Sequence, residues 1–193
     1  MVNLTSLFRE NFGFLKSKEI VSSSQRRELN KMLEYKSVSK VKRGLYRLND
    51  FEEDTSFVEV SSIVPCGVFC MFSAWFHYNL TTTVPHENHI AVPQKKKVRL
   101  LNHPPIKLYY LSEKFYQLGI IHIIINNQPV KIYDLEKSVC DAVRFRNKAG
   151  MDIAIEVVKN YVRRKDRNFD KLIKYARQLR IETIMQNLIM PML

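Results

Sequence analysis

The sequence predicts an α+β fold, built from a small N-terminal module and a larger C-terminal domain. Three observations predict it. Residues 1–48 contain short helical patterns followed by a strand-like alternation, and residues 55–133 mix helical and strand patterns. Residues 134–193 keep the apolar spacing of helices throughout. A polar, acidic stretch at 49–54 separates the module from the rest. The predicted domains are therefore residues 1–49 and residues 50–193.

Three short helices are predicted in the module. Each is expected to begin at a Ser, Thr or Asn side chain, which accepts a hydrogen bond from a free helix N–H group. The expected starts and ends are Asn3 or Thr5 to Asn11, Ser17 to Val21, and Ser24 to Tyr35. On the third helix Leu29, Met32 and Leu33 share one face, at about 100° per residue.

A hairpin is predicted to follow these helices. Apolar residues alternate from Val38 to Leu48, which is typical of strands. Lys42-Arg43-Gly44 fits a tight turn, because glycine adopts positive φ without strain. Two helices joined by a turn and followed by a basic-tipped hairpin are typical of a winged helix-turn-helix, so we expect residues 1–49 to be a DNA-binding domain of that kind.

The charge agrees with this interpretation. The chain carries 31 basic and 19 acidic residues, a formal net charge of +12, which favours a polyanionic partner. Ten basic and three acidic residues lie between Lys16 and Arg47. No stretch approaches the ~20 apolar residues of a membrane span, and the N-terminus does not resemble a signal peptide. Three cysteines without a framework fit a reducing compartment. We therefore expect a cytoplasmic protein that binds double-stranded DNA and not membranes.

The candidate DNA-binding residues lie on the third helix and the wing. Arg27, Asn30 and Lys31 fall opposite the apolar face, and Arg and Asn side chains can pair with base edges in the major groove. Ser24 and the helix N-terminus are expected to hold a phosphate, while Arg26 lies at the flank. The alternative is a solvated basic face on a partner-binding domain. The predicted set is Ser24, Gln25, Arg26, Arg27, Asn30, Lys31, Lys40, Lys42 and Arg43.

The second domain is predicted to mix helices and strands before a helical C-terminus. A helix is expected to begin near Pro65 and to carry Val68, Met71 and Trp75 on one face. The remaining expected elements are strands at 90–92 and 106–111, a short helix at 112–118, a hairpin of strands 119–125 and 129–133, and helices at 134–147, 151–165, 168–180 and 181–190. The C-terminal helices are expected to form a bundle.

A second basic cluster lies on these last helices. Such a run is either a solvated face or a contact surface for an acidic protein, RNA or DNA. The candidate partner surface is Arg144, Arg146, Lys148, Arg163, Arg164 and Lys165.

Two patterns suggest enzymatic sites, but neither has the required spacing. His86 and His89 are three residues apart rather than four, and a strand-like segment follows. Asp134, Glu136 and Lys137 contain the residue types of metal-dependent nucleases, but adjacent residues at a helix start point in different directions. Asp134 is more simply a helix cap, with Asp141 one turn beyond Lys137 and paired with it. We expect no catalytic residues, no metal site and no cofactor.

Seven segments, distributed over about 150 residues, carry patterns that are longer than chance similarity produces. They are Lys42–Leu48, Val64–Ala74, Leu80–His86, Ile90–Pro93, Val130–Asp141, Phe145–Lys148 and Tyr175–Arg177. Together, and in this order, they resemble the AbiEi family of antitoxins and transcriptional regulators. One departure is Tyr78-Asn79, where the family often carries a glycine.

The resemblance implies a bipartite protein of a type IV toxin–antitoxin system. Its winged helix would bind inverted repeats in its own operator and repress transcription. Its C-terminal domain, related to restriction-endonuclease-like folds without the nuclease residues, would neutralise a nucleotidyltransferase-like toxin without needing a stable complex. A solitary winged-helix regulator with a sensing or dimerisation domain is the alternative, and a metal-dependent nuclease is a second, disfavoured one.

Overall fold

The computed structural model describes residues 3–11, 13–50, 56–100 and 103–192. Helices and two β-sheets alternate along these residues, so the chain has the α+β class that the sequence predicts. Most of the predicted 49–54 linker lies outside the described residues, and the division at residue 49 stays a prediction. No helix among the described residues is both long and apolar enough to cross a membrane.

The N-terminal unit has two helices and a three-stranded antiparallel sheet in the order β1-β3-β2. One residue fixes the tip of the hairpin, since Gly44 adopts a φ of +78° in the turn between β2 and β3. A core of Leu4, Phe8, Leu15 and Leu29 joins the sheet to both helices. The elements are α1 (Leu4–Glu10), β1 (Phe14–Lys16), a 3-10 turn (Ser17–Glu19), α2 (Ser23–Glu34), β2 (Val38–Lys42) and β3 (Leu45–Leu48).

One local prediction in this unit was inaccurate, and one strand was missed. The cap of α2 is Ser22 and not Ser24, because the Ser22 hydroxyl accepts from the N–H of Gln25 at 3.1 Å. Strand β1 was not predicted at all. Its three residues are too few to show a period, and it is defined by its pairing with β3, where Leu15 lies opposite Tyr46.

The second sheet has five strands in the order β6-β5-β4-β8-β7. The pairs β5–β6 and β4–β8 are parallel, and the pairs β4–β5 and β7–β8 are antiparallel. Its elements are α3 (Ser56–Ile63), β4 (Val68–Phe69), α4 (Met71–His77), β5 (Asn88–Pro93), β6 (Ile106–Leu111), α5 (Glu113–Gln117), β7 (Ile120–Ile125) and β8 (Gln128–Tyr133).

The helix expected from Pro65 was wrong in its first half. Val68 and Phe69 form the central strand β4, where Phe69 lies opposite Ile90 on one side and Ile132 on the other. A short apolar run that is buried on all sides has no period that separates a strand from a helix. Only α4, which begins at Met71, is helical.

Five helices follow the sheet and share a hydrophobic cluster with it. Helix α6 is their centre, because every residue from Leu135 to Val143 is buried, including three charged ones. The indole N–H of Trp75 donates to the carbonyl of Ser138 at 2.8 Å and ties α4 to α6. The helices are α6 (Leu135–Arg144), α7 (Arg146–Ala149), α8 (Met151–Val162), α9 (Phe169–Gln178) and α10 (Glu182–Ile189), followed by a 3-10 turn (Met190–Met192).

The two units share a core. Phe14 and Leu45 of the first sheet pack in one cluster with Val58 of α3 and with Val130 of β8. An ion pair of 3.1 Å between Arg47 and the buried Glu59 crosses the same boundary. The N-terminal sheet is therefore held against α3 and the five-stranded sheet.

Candidate nucleic-acid interface

The outward face of α2 has the exposure that its helical phase predicts. Arg27, Asn30 and Lys31 are exposed, whereas Leu29 on the opposite side is buried. Among the described residues, no carboxylate lies within ion-pairing distance of Arg27 or Lys31. These cations, together with Arg26 at the flank, are therefore available to an anionic ligand.

The N-terminus of α2 uses its own polar side chains. The Gln25 side-chain oxygen accepts from the backbone N–H groups of Ser22, at 3.2 Å, and Val21, at 3.1 Å. The Ser24 hydroxyl lies 2.9 Å from that of Ser22. This capping box stabilises the first turn of α2, so the predicted roles of Ser24 and Gln25 in DNA binding compete with their role as capping residues.

The hairpin carries three candidate cations, of which two are exposed and one is hydrogen-bonded to backbone carbonyls. Lys40 and Arg43 are exposed. The Lys42 ammonium instead donates to the carbonyl oxygens of Ser62 and of Ile63, the latter at 3.1 Å, at the C-terminus of α3. Burial, and then the charge of Lys16, lower the pKa of Lys42. In this structure the Lys42 ammonium therefore binds a helix end, and its contact with DNA stays a prediction.

Three lysines that the sequence did not nominate extend the basic surface. Lys16 and Lys18 line a hollow of about 330 Å³ beside Arg43. Lys16 also lines a neighbouring hollow of about 270 Å³ together with Lys131 of β8, whose ammonium donates to the Pro65 carbonyl at 3.3 Å. The proximity of these lysines could not be predicted from the sequence, because it depends on the pairing of β1 with β3 and on the packing of the two units.

The C-terminal basic cluster is split by the fold. Three members have structural partners: the Arg144 guanidinium stacks 4.3 Å from the centre of the Phe115 ring, Arg146 donates to the Val143 carbonyl at 3.0 Å, and Arg164 binds Asp166 at 2.8 Å. The other three members are exposed. The part of the predicted partner surface that is open to solvent is Lys148, Arg163 and Lys165.

The acidic side chains at the start of α6 form ion pairs with a lysine of α9. Asp134 caps α6 by accepting from the N–H of Lys137 at 2.8 Å, as predicted. The Lys171 ammonium of α9 lies 3.1 Å from the Asp134 carboxylate and 3.0 Å from that of Glu136. Burial lowers the pKa of Lys171, but the hydrogen bonds to Glu136 and Asp134 outweigh it and raise the pKa above its ordinary value. A cation of the protein therefore lies between the two carboxylates.

The predicted pair of Lys137 and Asp141 is confirmed. The Lys137 ammonium lies 2.7 Å from both carboxylate oxygens of Asp141 and 4.0 Å from the centre of the Tyr133 ring. Both side chains are excluded from solvent. The pair joins adjacent turns of α6 inside the core.

His89 packs against aromatic residues of α4 and β6. Its Nδ1 lies 2.8 Å from the Tyr109 hydroxyl, and its ring stacks on the Tyr109 ring, while His86 is exposed. No group of three or more His, Cys, Asp or Glu side chains is arranged for a metal ion in the described part of the chain. Burial lowers the pKa of His89 to about 4.

This pKa predicts a loss of stability in mild acid. An unfolded histidine has a pKa of about 6.5. Because the folded pKa is lower, the unfolded chain binds the proton first. The stability present above pH ~6.5 is therefore lost progressively as the pH falls toward ~4. We expect His89 to contribute about 1–3 kcal/mol to this loss, measured as the free energy of unfolding in urea at each pH. His89→Gln should flatten the profile, and an equal slope in both proteins would contradict the assignment.

No family model matches the chain, and no curated protein matches it. A solved structure similar to this one is that of the RV2827C protein from Mycobacterium tuberculosis. It has 9% sequence identity and a TM-score of 0.62, and the match covers 97% of this chain and 79% of that one. At this identity the similarity shows a shared mixed α+β fold alone.

Proposed function

We propose that the protein is a sequence-specific DNA-binding repressor whose N-terminal unit is a winged helix-turn-helix. The order α1-β1-turn-α2-β2-β3, with strands in the order β1-β3-β2, supports this assignment. In such a unit the second helix of the motif enters the major groove and the hairpin contacts the flanking backbone. The observation that carries the proposal is the outward face of α2, whose cations form no ion pair with any described carboxylate. The exposed Arg43 on the neighbouring hairpin adds to this basic surface.

Each group has a role in this mode of binding. Arg27 and Asn30 would contact base edges, since their side chains form bidentate hydrogen bonds with guanine and adenine. Lys31, Lys40 and Arg43 would contact phosphates, as would the exposed Lys16 and Lys18. Phosphate contacts release counterions, so binding is expected to weaken steeply with salt.

The binding experiment uses the DNA upstream of the protein's own operon. We expect fluorescence anisotropy to show tighter binding to this fragment than to a shuffled fragment of the same length and composition. We also expect footprinting to reveal inverted repeats. Equal affinity for the two fragments at every salt concentration would contradict sequence-specific repression, even if the protein binds DNA.

We further propose that the protein is the antitoxin of a type IV system, acting through its C-terminal domain on a nucleotidyltransferase-like toxin. The support is the resemblance to the AbiEi family, whose segment Val130–Asp141 corresponds here to β8 and the buried helix α6. That segment would fix the domain's shape, and the exposed Lys148, Arg163 and Lys165 would form the contact surface.

Co-expression tests the antitoxin proposal separately from DNA binding. We expect this protein to restore growth to cells that express a nucleotidyltransferase-like toxin from the same operon. Arg163→Ala with Lys165→Ala should weaken this rescue and leave operator affinity unchanged. If the double variant rescues growth at the wild-type level, Arg163 and Lys165 do not belong to the surface that contacts the toxin. Absence of rescue by the wild-type protein would contradict the antitoxin role and leave the repressor role standing.

One feature favours the solitary regulator as a second candidate. A cavity of about 310 Å³ is lined by Phe72, His89, Tyr109 and Phe145, with Lys107 and Lys148 beside them. This size and lining suit a small aromatic effector. The nuclease alternative is less favoured, because the Lys171 ammonium pairs with both carboxylates that would have to bind a metal.

A further inference from the structure

Strand β7 lies at an open edge of the five-stranded sheet. Its six residues pair antiparallel with β8 in an unbroken register, from Ile120 opposite Tyr133 to Ile125 opposite Gln128. No described strand pairs with its other side. Alternate residues of an antiparallel strand direct their N–H and C=O groups away from its partner. The edge therefore offers a row of backbone hydrogen-bonding groups.

The side chains of β7 leave this edge unprotected. Five of its six residues are isoleucine and the sixth is His122. Ile124 is 68% exposed and Ile121 is 37% exposed. Soluble proteins ordinarily guard an edge strand with lysine, proline or a bulge, and β7 has none of these. The opposite edge strand, β6, carries the exposed Lys107.

We propose that β7 pairs antiparallel with β7 of a second copy of this chain and joins two five-stranded sheets into one of ten strands. The net charge of +12 opposes self-association, so two copies must meet at a surface without charge. Residues 115–130, which include β7 and its hairpin turn, contain no Asp, Glu, Lys or Arg. A strand paired with its own copy also forms a closed two-fold interface, leaving no open β7 edge.

The side chains are compatible with this pairing. Residues directly opposite in a sheet lie on the same face. With Ile123 on the two-fold axis, Ile121 lies beside Ile125 of the second copy, and the exposed Ile124 lies beside its His122. Every opposing pair within the two strands is then apolar or aromatic, and cross-strand pairs of β-branched and aromatic residues stabilise a sheet.

The expected association is weak and depends on concentration. Pairing of one short strand buries less than the ~1,600 Å² of a standard stable interface. We therefore expect sedimentation equilibrium of the full chain, without DNA, to show a mass that rises from 22.8 kDa toward twice that value across the micromolar range.

Two matched lysine variants locate the interface. Ile124→Lys adds a charge to the β7 edge and should raise the dimer dissociation constant more than tenfold. Tyr110→Lys adds the same charge at a residue that is 50% exposed on β6, and it should dimerise as the wild type does. Circular dichroism and the thermal midpoint verify folding. If Ile124→Lys does not fold, Ile124→Thr keeps the β-branched shape, removes apolar surface and should weaken the dimer in the same direction.

Several outcomes would overturn the proposal. If the wild-type protein stays at monomer mass across the range, β7 does not pair with a second copy of the chain. Equal weakening by Ile124→Lys and Tyr110→Lys would show that added charge, and not the β7 edge, controls association. Weakening by Tyr110→Lys alone would place the interface on β6.

Discussion

Replacing Lys137 by methionine is expected to destabilise the protein by about 3–5 kcal/mol, the loss that follows when one partner of a buried ion pair is removed. Methionine fills a similar volume but leaves the Asp141 carboxylate without a cation. That carboxylate is 2% exposed, and both of its oxygens bind only the Lys137 ammonium among the described side chains. The free energy of unfolding in urea, extrapolated to zero denaturant, measures the loss.

The double variant separates the charge effect from packing. Lys137→Met with Asp141→Leu removes both charges and leaves apolar groups of similar size, a change that is often neutral for buried pairs. We expect it to recover most of the lost stability. A double variant as unstable as Lys137→Met alone would show that the lysine stem and the Tyr133 ring contact, rather than the unpaired carboxylate, account for the loss.

A surface pair provides the reference for this measurement. Arg177 and Glu182 lie 2.7 Å apart, and their side chains are 70% and 28% exposed to solvent. Exposed pairs contribute little because water screens them and their side chains lose freedom on pairing. Arg177→Met is therefore expected to change the free energy of unfolding far less than Lys137→Met does. A loss comparable to that of Lys137→Met would mean that burial is not the reason for the large effect.

The Lys137–Asp141 pair also shows what local sequence can predict. Two residues one turn apart on a helix must face each other, so their pairing followed from their spacing alone. Helix α2, with Leu29 inward and Arg27 outward, followed from the same period. The hairpin of β7 and β8 followed from Asn126-Asn127, whose φ values of +48° and +51° asparagine tolerates better than most residues.

Contacts between distant segments could not be predicted in this way. Lys171 lies on α9, far along the chain from Asp134 and Glu136, and no spacing rule connects them. Strand β4 has two residues, and only its pairing with Ile90 and Ile132 identifies it as a strand. Lys42 was assigned to DNA because it lies at a basic turn, yet the packing of α3 against the hairpin directs its ammonium to helix carbonyls.

Loss of the Arg27 side chain is expected to have the largest single effect on DNA binding. Arg27→Ala removes a side chain that forms a bidentate contact with a base in the proposed complex. Such a loss weakens specific binding by about 1–3 kcal/mol, or roughly tenfold or more, and relaxes the preference at one base pair. Binding to a set of operator fragments with single base changes, followed by fluorescence anisotropy, measures both effects.

Two control variants distinguish base contact from charge and from stability. Arg9→Ala removes the same charge from an exposed position on α1 and should change affinity little. Lys42→Met removes a cation from the hairpin, but one that binds the end of α3. It should therefore lower the free energy of unfolding by about 1 kcal/mol and leave operator affinity close to that of the wild type. If Lys42→Met instead weakens binding as much as Arg27→Ala while folding normally, the ammonium must leave α3 to reach DNA. If Arg27→Ala binds as tightly and as selectively as the wild type, the outward face of α2 is not the surface that recognises bases.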